Sequence, residues 1–189
     1  MYFTIFKNCI LFIILISILS SCSINNEINN KQVDYIHYAS GGVKENYKFD
    51  ILFEESNSTF TSYQIVYSSC TCRDKLTNYK SVCYVEILNT KSKPDDAAIR
   101  YITFSENKGL WGDSNPNYLK SEYTEEYYDE HLVKPLIGVT KQEIDTFNGY
   151  GHFIDAVDVD AISGATVSSS NLFSMLKSLF NYHIEKYYK

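Results

Sequence analysis

The chain predicts an α+β domain, an antiparallel sheet with a few packed helices, on three observations. Four segments of strand length (Tyr47 to Phe53, Thr59 to Tyr67, Ser81 to Leu88 and Ala98 to Phe104) alternate or cluster apolar residues and are rich in β-branched and aromatic side chains. Short polar turns separate them, such as Glu55-Ser56-Asn57-Ser58 and the Pro94-containing run from Asn89 to Asp96. Consecutive strands at that spacing pair antiparallel. Near the C-terminus, Leu172, Met175, Leu176, Leu179, Phe180 and His183 recur at helical spacing and make one apolar stripe. On that stripe His183 reads as a core-edge histidine rather than a ligand.

The N-terminus sets the compartment. Met1 to Ser21 carries one charge, Lys7, before the apolar run Cys9 to Leu19. That run is too short to span a membrane as a mature helix and suits a secretory signal peptide over residues 1–21. The following Leu19-Ser20-Ser21-Cys22 resembles a bacterial lipobox, with cleavage before Cys22 and a diacylglycerol on its sulfur; an uncleaved anchor helix is the other reading. Either way the rest lies outside the cytoplasmic membrane, at the extracytoplasmic face of the bilayer. Residues 22–33 are polar and asparagine-rich and read as a flexible tether. Residues 34–189 then form a single domain of ordinary size.

The 189 residues hold 17 basic and 23 acidic side chains, a formal charge of −6, with no basic cluster, which excludes nucleic acid as a partner. The 17 Tyr and 11 Phe must largely be strand and core aromatics. Past the fourth strand, Thr124-Glu125-Glu126 reads as a helix start carrying Tyr127, Tyr128 and Leu132, and Pro135 ends or interrupts it. Thr140-Lys141-Gln142-Glu143 is a capping box opening a short helix through Phe147. Asn148-Gly149-Tyr150-Gly151 breaks the chain before a last strand-like stretch, Ile154 to Val159.

That stretch leads into Asp160-Ala161-Ile162-Ser163-Gly164-Ala165-Thr166, a turn of small residues before a helix starting near Ser168. Gly164 lets the backbone bend or approach a ligand closely. Free amides at a helix start, with the positive end of its dipole, favour a phosphate. The local chemistry is a threonine hydroxyl beside an anion-friendly backbone, a site for a phosphorylated ligand. A plain reading stands beside it, in which Thr166 or Ser168 caps the helix and Gly164 supplies the turn. Asp155 and Asp158 make the segment acidic, but their spacing is not that of a calcium loop with its distal Glu.

The heptad resembles the flavin-attachment motif of the FMN-binding domain family, found in flavin subunits of the Rnf and sodium-translocating NADH:quinone reductase complexes and in secreted redox proteins. The family pattern is Asp, two variable residues, then Ser/Thr-Gly-Ala-Thr/Ser. Asp160, Ser163, Gly164, Ala165 and Thr166 match it, and the resemblance extends from about Tyr63 to the C-terminus. The family's glycine-rich middle segment is echoed only by Lys108-Gly109-Leu110-Trp111-Gly112-Asp113. The resemblance implies an FMN-binding-domain-like fold and FMN joined to Thr166 by a phosphodiester, installed by a separate flavin transferase that uses FAD. It makes the chain an electron carrier between a membrane electron donor and an unknown acceptor, its activity resting on a partner oxidoreductase. Ser168 and its neighbours at the helix start would offset the phosphate charge, and Asp160 would orient the loop.

Beyond Cys22, three cysteines remain: Cys70, Cys72 and Cys83. Outside the membrane, thiols oxidise, so Cys70 or Cys72 bonded to Cys83 is the first expectation. A redox-active Cys70-Thr71-Cys72 is the sharper alternative; three thiolates without a fourth ligand argue against a metal. Three functions therefore stand: a covalent flavoprotein, a noncatalytic lipoprotein binding a solute or partner, and a thiol redox protein using Cys70 and Cys72.

Overall fold

Alternation along the strands decides which side of the sheet is dry. In the third strand Tyr63, Ile65 and Tyr67 are buried while Gln64 and Val66 between them are partly exposed. Directly opposite, Val85, Cys83 and Ser81 of the fourth strand continue the same buried face. A side-chain period of two on a half-buried sheet requires this pattern.

The computed structural model describes residues 31–71, 79–89, 92–106, 125–157 and 166–188. It contains β1 (Lys31–Tyr38), β2 (Lys44–Ser56), β3 (Phe60–Cys70), β4 (Tyr79–Leu88) and β5 (Ile99–Glu106). They form one antiparallel sheet in the order β1-β2-β3-β4-β5. A helical segment follows: α1 (Glu125–Tyr128), a π turn over Asp129–Val133 and a 3-10 turn over Lys134–Leu136. Then come α2 (Lys141–Asp145) and the long α3 (Thr166–Tyr187). The expected α+β architecture is what forms.

β2 serves two neighbours in succession. Its first half pairs with β1 (Tyr38↔Lys44 to Lys31↔Ile51), and from Asp50 on it pairs with β3, across a bulge between Ile51 and Phe53. A bulge bends its strand and sharpens the twist. The first hairpin thereby curls until its side chains reach the far end of β3: the Tyr35 hydroxyl donates to the Ser68 carbonyl at 2.8 Å, and His37 Nε2 lies 3.0 Å from Thr71 Oγ1.

α3 covers the dry face, packing on β1 and β3. Its six-residue stripe is fully buried as expected, joined by Phe173, which stacks on Phe147 at 5.6 Å. Burying a Leu, Met or Phe side chain contributes about 1.5–3 kcal/mol, so this stripe is the main apolar glue between helix and sheet. His183 ends the stripe with Nδ1 2.8 Å from the Tyr63 hydroxyl. Burial raises the Tyr63 pKa, so the tyrosine keeps its proton and donates. At the other end of the helix, Asn171 is fully buried. Its Oδ1 accepts from the Tyr38 amide at 2.6 Å, and its Nδ2 donates to the carbonyls of Tyr38 and Ser69, each at 3.0 Å. One side chain ties α3 to the ends of β1 and β3.

The capping box before α2 is present in full, with Thr140 Oγ1 accepting from the Glu143 amide and the Glu143 carboxylate accepting from the Thr140 amide. Four expectations need correction. β1 begins at Lys31, so residues 31–33, read as the end of the tether, belong to the sheet. The helix expected from Thr124, which lies outside the described residues, leaves α geometry after Tyr128, because Pro135 has no N–H for the carbonyl four residues back. Ile154 to Val157 is a turn closed by the Val157 amide on the Ile154 carbonyl at 3.2 Å; two buried apolar residues three apart suit that turn better than a strand. Finally, Cys83 is a free thiol buried in the sheet core, while Cys70 is disulfide-bonded, so the expected bridge to Cys83 does not form. Cys72 lies outside the described residues.

Burial pushes the Cys83 thiol well above its usual pKa. It should therefore resist alkylation in the native protein and react fully in denaturant, as labelling followed by mass spectrometry would register. Replacing Asn171 by Leu strands two buried carbonyls and an amide, and should lower unfolding free energy by about 2–4 kcal/mol in urea titration. His183 is held neutral by burial, its pKa pulled down to about 4 against the weaker opposing pull of Glu54. From its ordinary value near 6.5 down to about 4, the unfolded chain gains a proton that the folded one refuses. Stability should thus fall with acid across that window, by up to about 3 kcal/mol, and His183→Gln should flatten that part of the urea-midpoint curve.

Candidate functional site

Thr166 is the first residue of α3, and the site grows from the first turn of that 22-residue helix. Four amides at a helix start have no partner within the helix, and the aligned peptide dipoles place roughly half a positive charge there. No acidic side chain in the first turn offsets it. The sequence supplies Ser168-Ser169-Ser170-Asn171 instead, four small polar residues that are all buried. Short hydroxyl and amide side chains favour helix starts because they can bond nearby backbone groups.

Each of these residues is used differently. Ser170 Oγ donates back to the Thr166 carbonyl at 2.6 Å and accepts the Gly151 amide at 3.2 Å. Asn171 makes the three bonds to β1 and β3. The Ser169 hydroxyl is completely buried and has no hydrogen-bond partner among the described residues. Thr166 is partly exposed, and among the described residues its hydroxyl has no partner either. A buried orphan hydroxyl is costly to leave unmade, and Tyr67 Oη, His37 Nδ1 and His183 Nε2 share that state among the described residues.

The neighbouring wall is the turn from Gly149 to His152, closed by the His152 amide on the Gly149 carbonyl at 3.0 Å. Gly149 and Gly151 sit at φ of 125° and 74°, backbone that side-chain-bearing residues rarely adopt. Tyr150 between them packs on Tyr38, and its ring lies against Gly42. Behind the turn, Phe147, Phe153 and Phe173 form an aromatic layer. Beneath the helix start, the polar end of the sheet core presents Tyr67, Ser69 and Ser81, with Ser81 Oγ donating to Ser69 Oγ at 3.0 Å. His37 closes the β1 side, stacked on Tyr47 at 4.4 Å and kept neutral by burial, which lowers its pKa.

Of the residues singled out from the sequence, Thr166 and Ser168 come together at the helix start. Asp160, Ser163, Gly164, Ala165 and Cys22 lie outside the described residues. Sequence reasoning placed Ser169 beside Ser168 at the helix start but missed Ser170, Asn171 and Gly151 as parts of the site. The legible signal was the unbroken polar run 168–171 on a helix whose next turns are apolar on that side. Gly149 and Gly151 were legible only as a chain break.

Phosphate chemistry suits this donor set: a positive dipole end, an orphan buried hydroxyl and a threonine hydroxyl at the same helix start. No curated protein and no solved structure matches the chain. The family model for the FMN-binding domain matches residues 83–181, from Cys83 in β4 to Asn181 in α3. That span takes in more than half of the sequence and includes Thr166, the polar run Ser168 to Asn171 and the sheet's β5. The chain belongs to the FMN-binding domain family.

Proposed function

We propose that this chain is a membrane-tethered extracytoplasmic flavoprotein that carries electrons through FMN held covalently on Thr166. The single observation that carries the reading is the hydroxyl of Thr166 at the head of a long helix that has no acidic residue in its first turn and buries the polar run Ser168 to Asn171. Attachment follows from that arrangement. Thr166 Oγ1 attacks the FMN-side phosphorus of FAD; the phosphoanhydride bond breaks, AMP leaves, and the transferase's base takes the hydroxyl proton. The product is a phosphodiester, whose one remaining negative charge the first-turn amides and the hydroxyls of Ser168 and Ser169 offset.

FMN supplies one- and two-electron chemistry, while the protein supplies placement and tuning. Asp160, Ser163, Gly164 and Ala165 are the motif positions by which the transferase recognises the acceptor. The covalent bond serves a protein outside the cell, where a dissociated cofactor is lost to the medium. A lipid on Cys22 and the polar segment after it hold the domain near the bilayer, within reach of a membrane electron donor and of an acceptor. Electron flow depends on a partner oxidoreductase.

The disulfide at Cys70 favours one competing reading, a thiol redox protein. Against it, the second described cysteine, Cys83, is buried and its thiol is held protonated. Co-expression of the full chain with a flavin transferase separates the readings. Flavin fluorescence should stay with the polypeptide on a denaturing gel, and Thr166→Ala should abolish it with the thermal midpoint unchanged within a few degrees. A colourless wild-type chain made beside an active transferase would return the protein to the solute-binding or thiol readings.

A further inference from the structure

β1 is an edge strand, and the hydrogen bonds at its end fix which of its backbone groups face outward. The Ala39 amide donates to the Val43 carbonyl at 2.9 Å, which continues the ladder with β2 one residue past the Tyr38↔Lys44 pair. Bonded and non-bonded pairs alternate in an antiparallel ladder. His37, Tyr35 and Val33 therefore turn their amides and carbonyls to β2, while Tyr38, Ile36, Asp34 and Gln32 turn theirs away. Asn171 agrees with that parity, because its carboxamide takes both the amide and the carbonyl of Tyr38. It does for Tyr38 what the peptide of a neighbouring strand would do. The outward groups of Ile36, Asp34 and Gln32 have no such partner among the described residues. An open row of this kind is a template for another chain.

Beside the row runs a trough against α3. One hollow of about 340 Å³ is bounded by Ile36, Tyr38, Gly149 and Lys177, and one of about 560 Å³ by Gln32, Asp34, Tyr182 and Lys186. Ser178 and Asn181 line both, so the hollows adjoin. The row also carries a chemical pattern. Ile36 is a large apolar side chain left exposed, and two residues before it the solvent-exposed carboxylate of Asp34 stands 4.0 Å from Lys48.

We propose that the β1 edge docks an extended segment of a partner protein, added antiparallel to β1, with an apolar side chain opposite Ile36 and a basic one opposite Asp34. The added strand takes up the outward groups of Gln32, Asp34 and Ile36 and lays its inner side chains over Ser178 and Asn181. Two other occupants match the edge less well. A second copy, paired about a two-fold axis so that all three residues are used, sets Asp34 opposite Asp34, a like-charge cross-strand pair. The chain's own residues 22–30 hold four asparagines, a residue depleted in strands. The proposal does not depend on flavin at Thr166, although the trough reaches Gly149 on the wall of that site.

Fluorescence anisotropy on the full-length protein in detergent tests this, with a labelled, end-blocked peptide Thr-Thr-Val-Thr-Lys-Thr-Thr and a twin carrying Glu for Lys. The Lys peptide should bind saturably by millimolar concentration and more tightly than its twin. Asp34→Lys should invert that preference, shifting each affinity about threefold. Ile36→Pro removes an outward N–H without touching the ladder to β2, and should weaken the Lys peptide about five- to tenfold. Absence of binding, an unaltered affinity in Ile36→Pro, or a preference that Asp34→Lys leaves in place would overturn the proposal. So would a dimer in light scattering that Ile36→Pro dissociates, or peptide binding seen only after residues 23–30 are deleted, since the edge would then belong to a second copy or to the chain's own N-terminal segment. Should Ile36→Pro fail to fold, the charge exchange at exposed Asp34 decides alone.

Discussion

The carboxamide of Asn171 is the contact on which the rest of this architecture depends. It satisfies both backbone groups of Tyr38 at the end of the edge strand and the carbonyl of Ser69 at the end of β3, from a fully buried position on the first turns of α3. Tyr38 closes an edge strand opposite Lys44, and β2 pairs with β3 only as far as Val66. Buried unpaired backbone costs about 1–3 kcal/mol per group, so the helix start cannot slide or lift without exposing that penalty. Thr166 stands five residues before this pin. Its place relative to the sheet and to the Gly149–Gly151 turn follows from one amide.

The core is graded along the helix. Toward the C-terminal half of α3 it is Leu176, Leu179 and Phe180 against Ile65, Val85 and Ile87, with His183 and Tyr63 as a bonded pair at the margin. Toward the N-terminal end the same face becomes Ser69, Ser81, Ser169 and Asn171. Apolar burial stabilises the first half with no directional demand, while the second is worth keeping only if its polar atoms are satisfied. Most are bonded, and the Ser169 hydroxyl is the exception beside the threonine. The polar end of this helix is where the proposed phosphate would sit.

Much of this was legible in the chain itself. The α3 stripe and four of the strands followed from periodicity, since a long helix and half-buried strands leave strong 3.6 and 2.0 residue patterns. The Thr140 capping box was legible because its two partners sit three residues apart. β1 was not read as a strand: Lys31, Gln32 and Val33 carry no apolar run, and their strand character comes from pairing with β2. Ile154 and Val157 misled because buried apolar residues three apart fit a turn as well as a strand. Cys83 misled more instructively. The expected extracytoplasmic compartment argues for oxidation, but Cys83 lies opposite Ile65 on the dry face as a free buried thiol. The heptad at 160–166 pointed to Thr166, whereas Asn171, Ser170 and Gly151 acquire their roles only through contacts 19 to 133 residues apart in sequence.

Peptide mapping of the protein purified from its own host tests the central claim most directly, by asking what the oxygen of Thr166 carries. The account predicts that the peptide spanning Asp160 to Thr166 is recovered with riboflavin phosphate esterified to Thr166 and fragments to release it. Recovery of that peptide wholly unmodified, from cells that make a flavin transferase, would contradict the account.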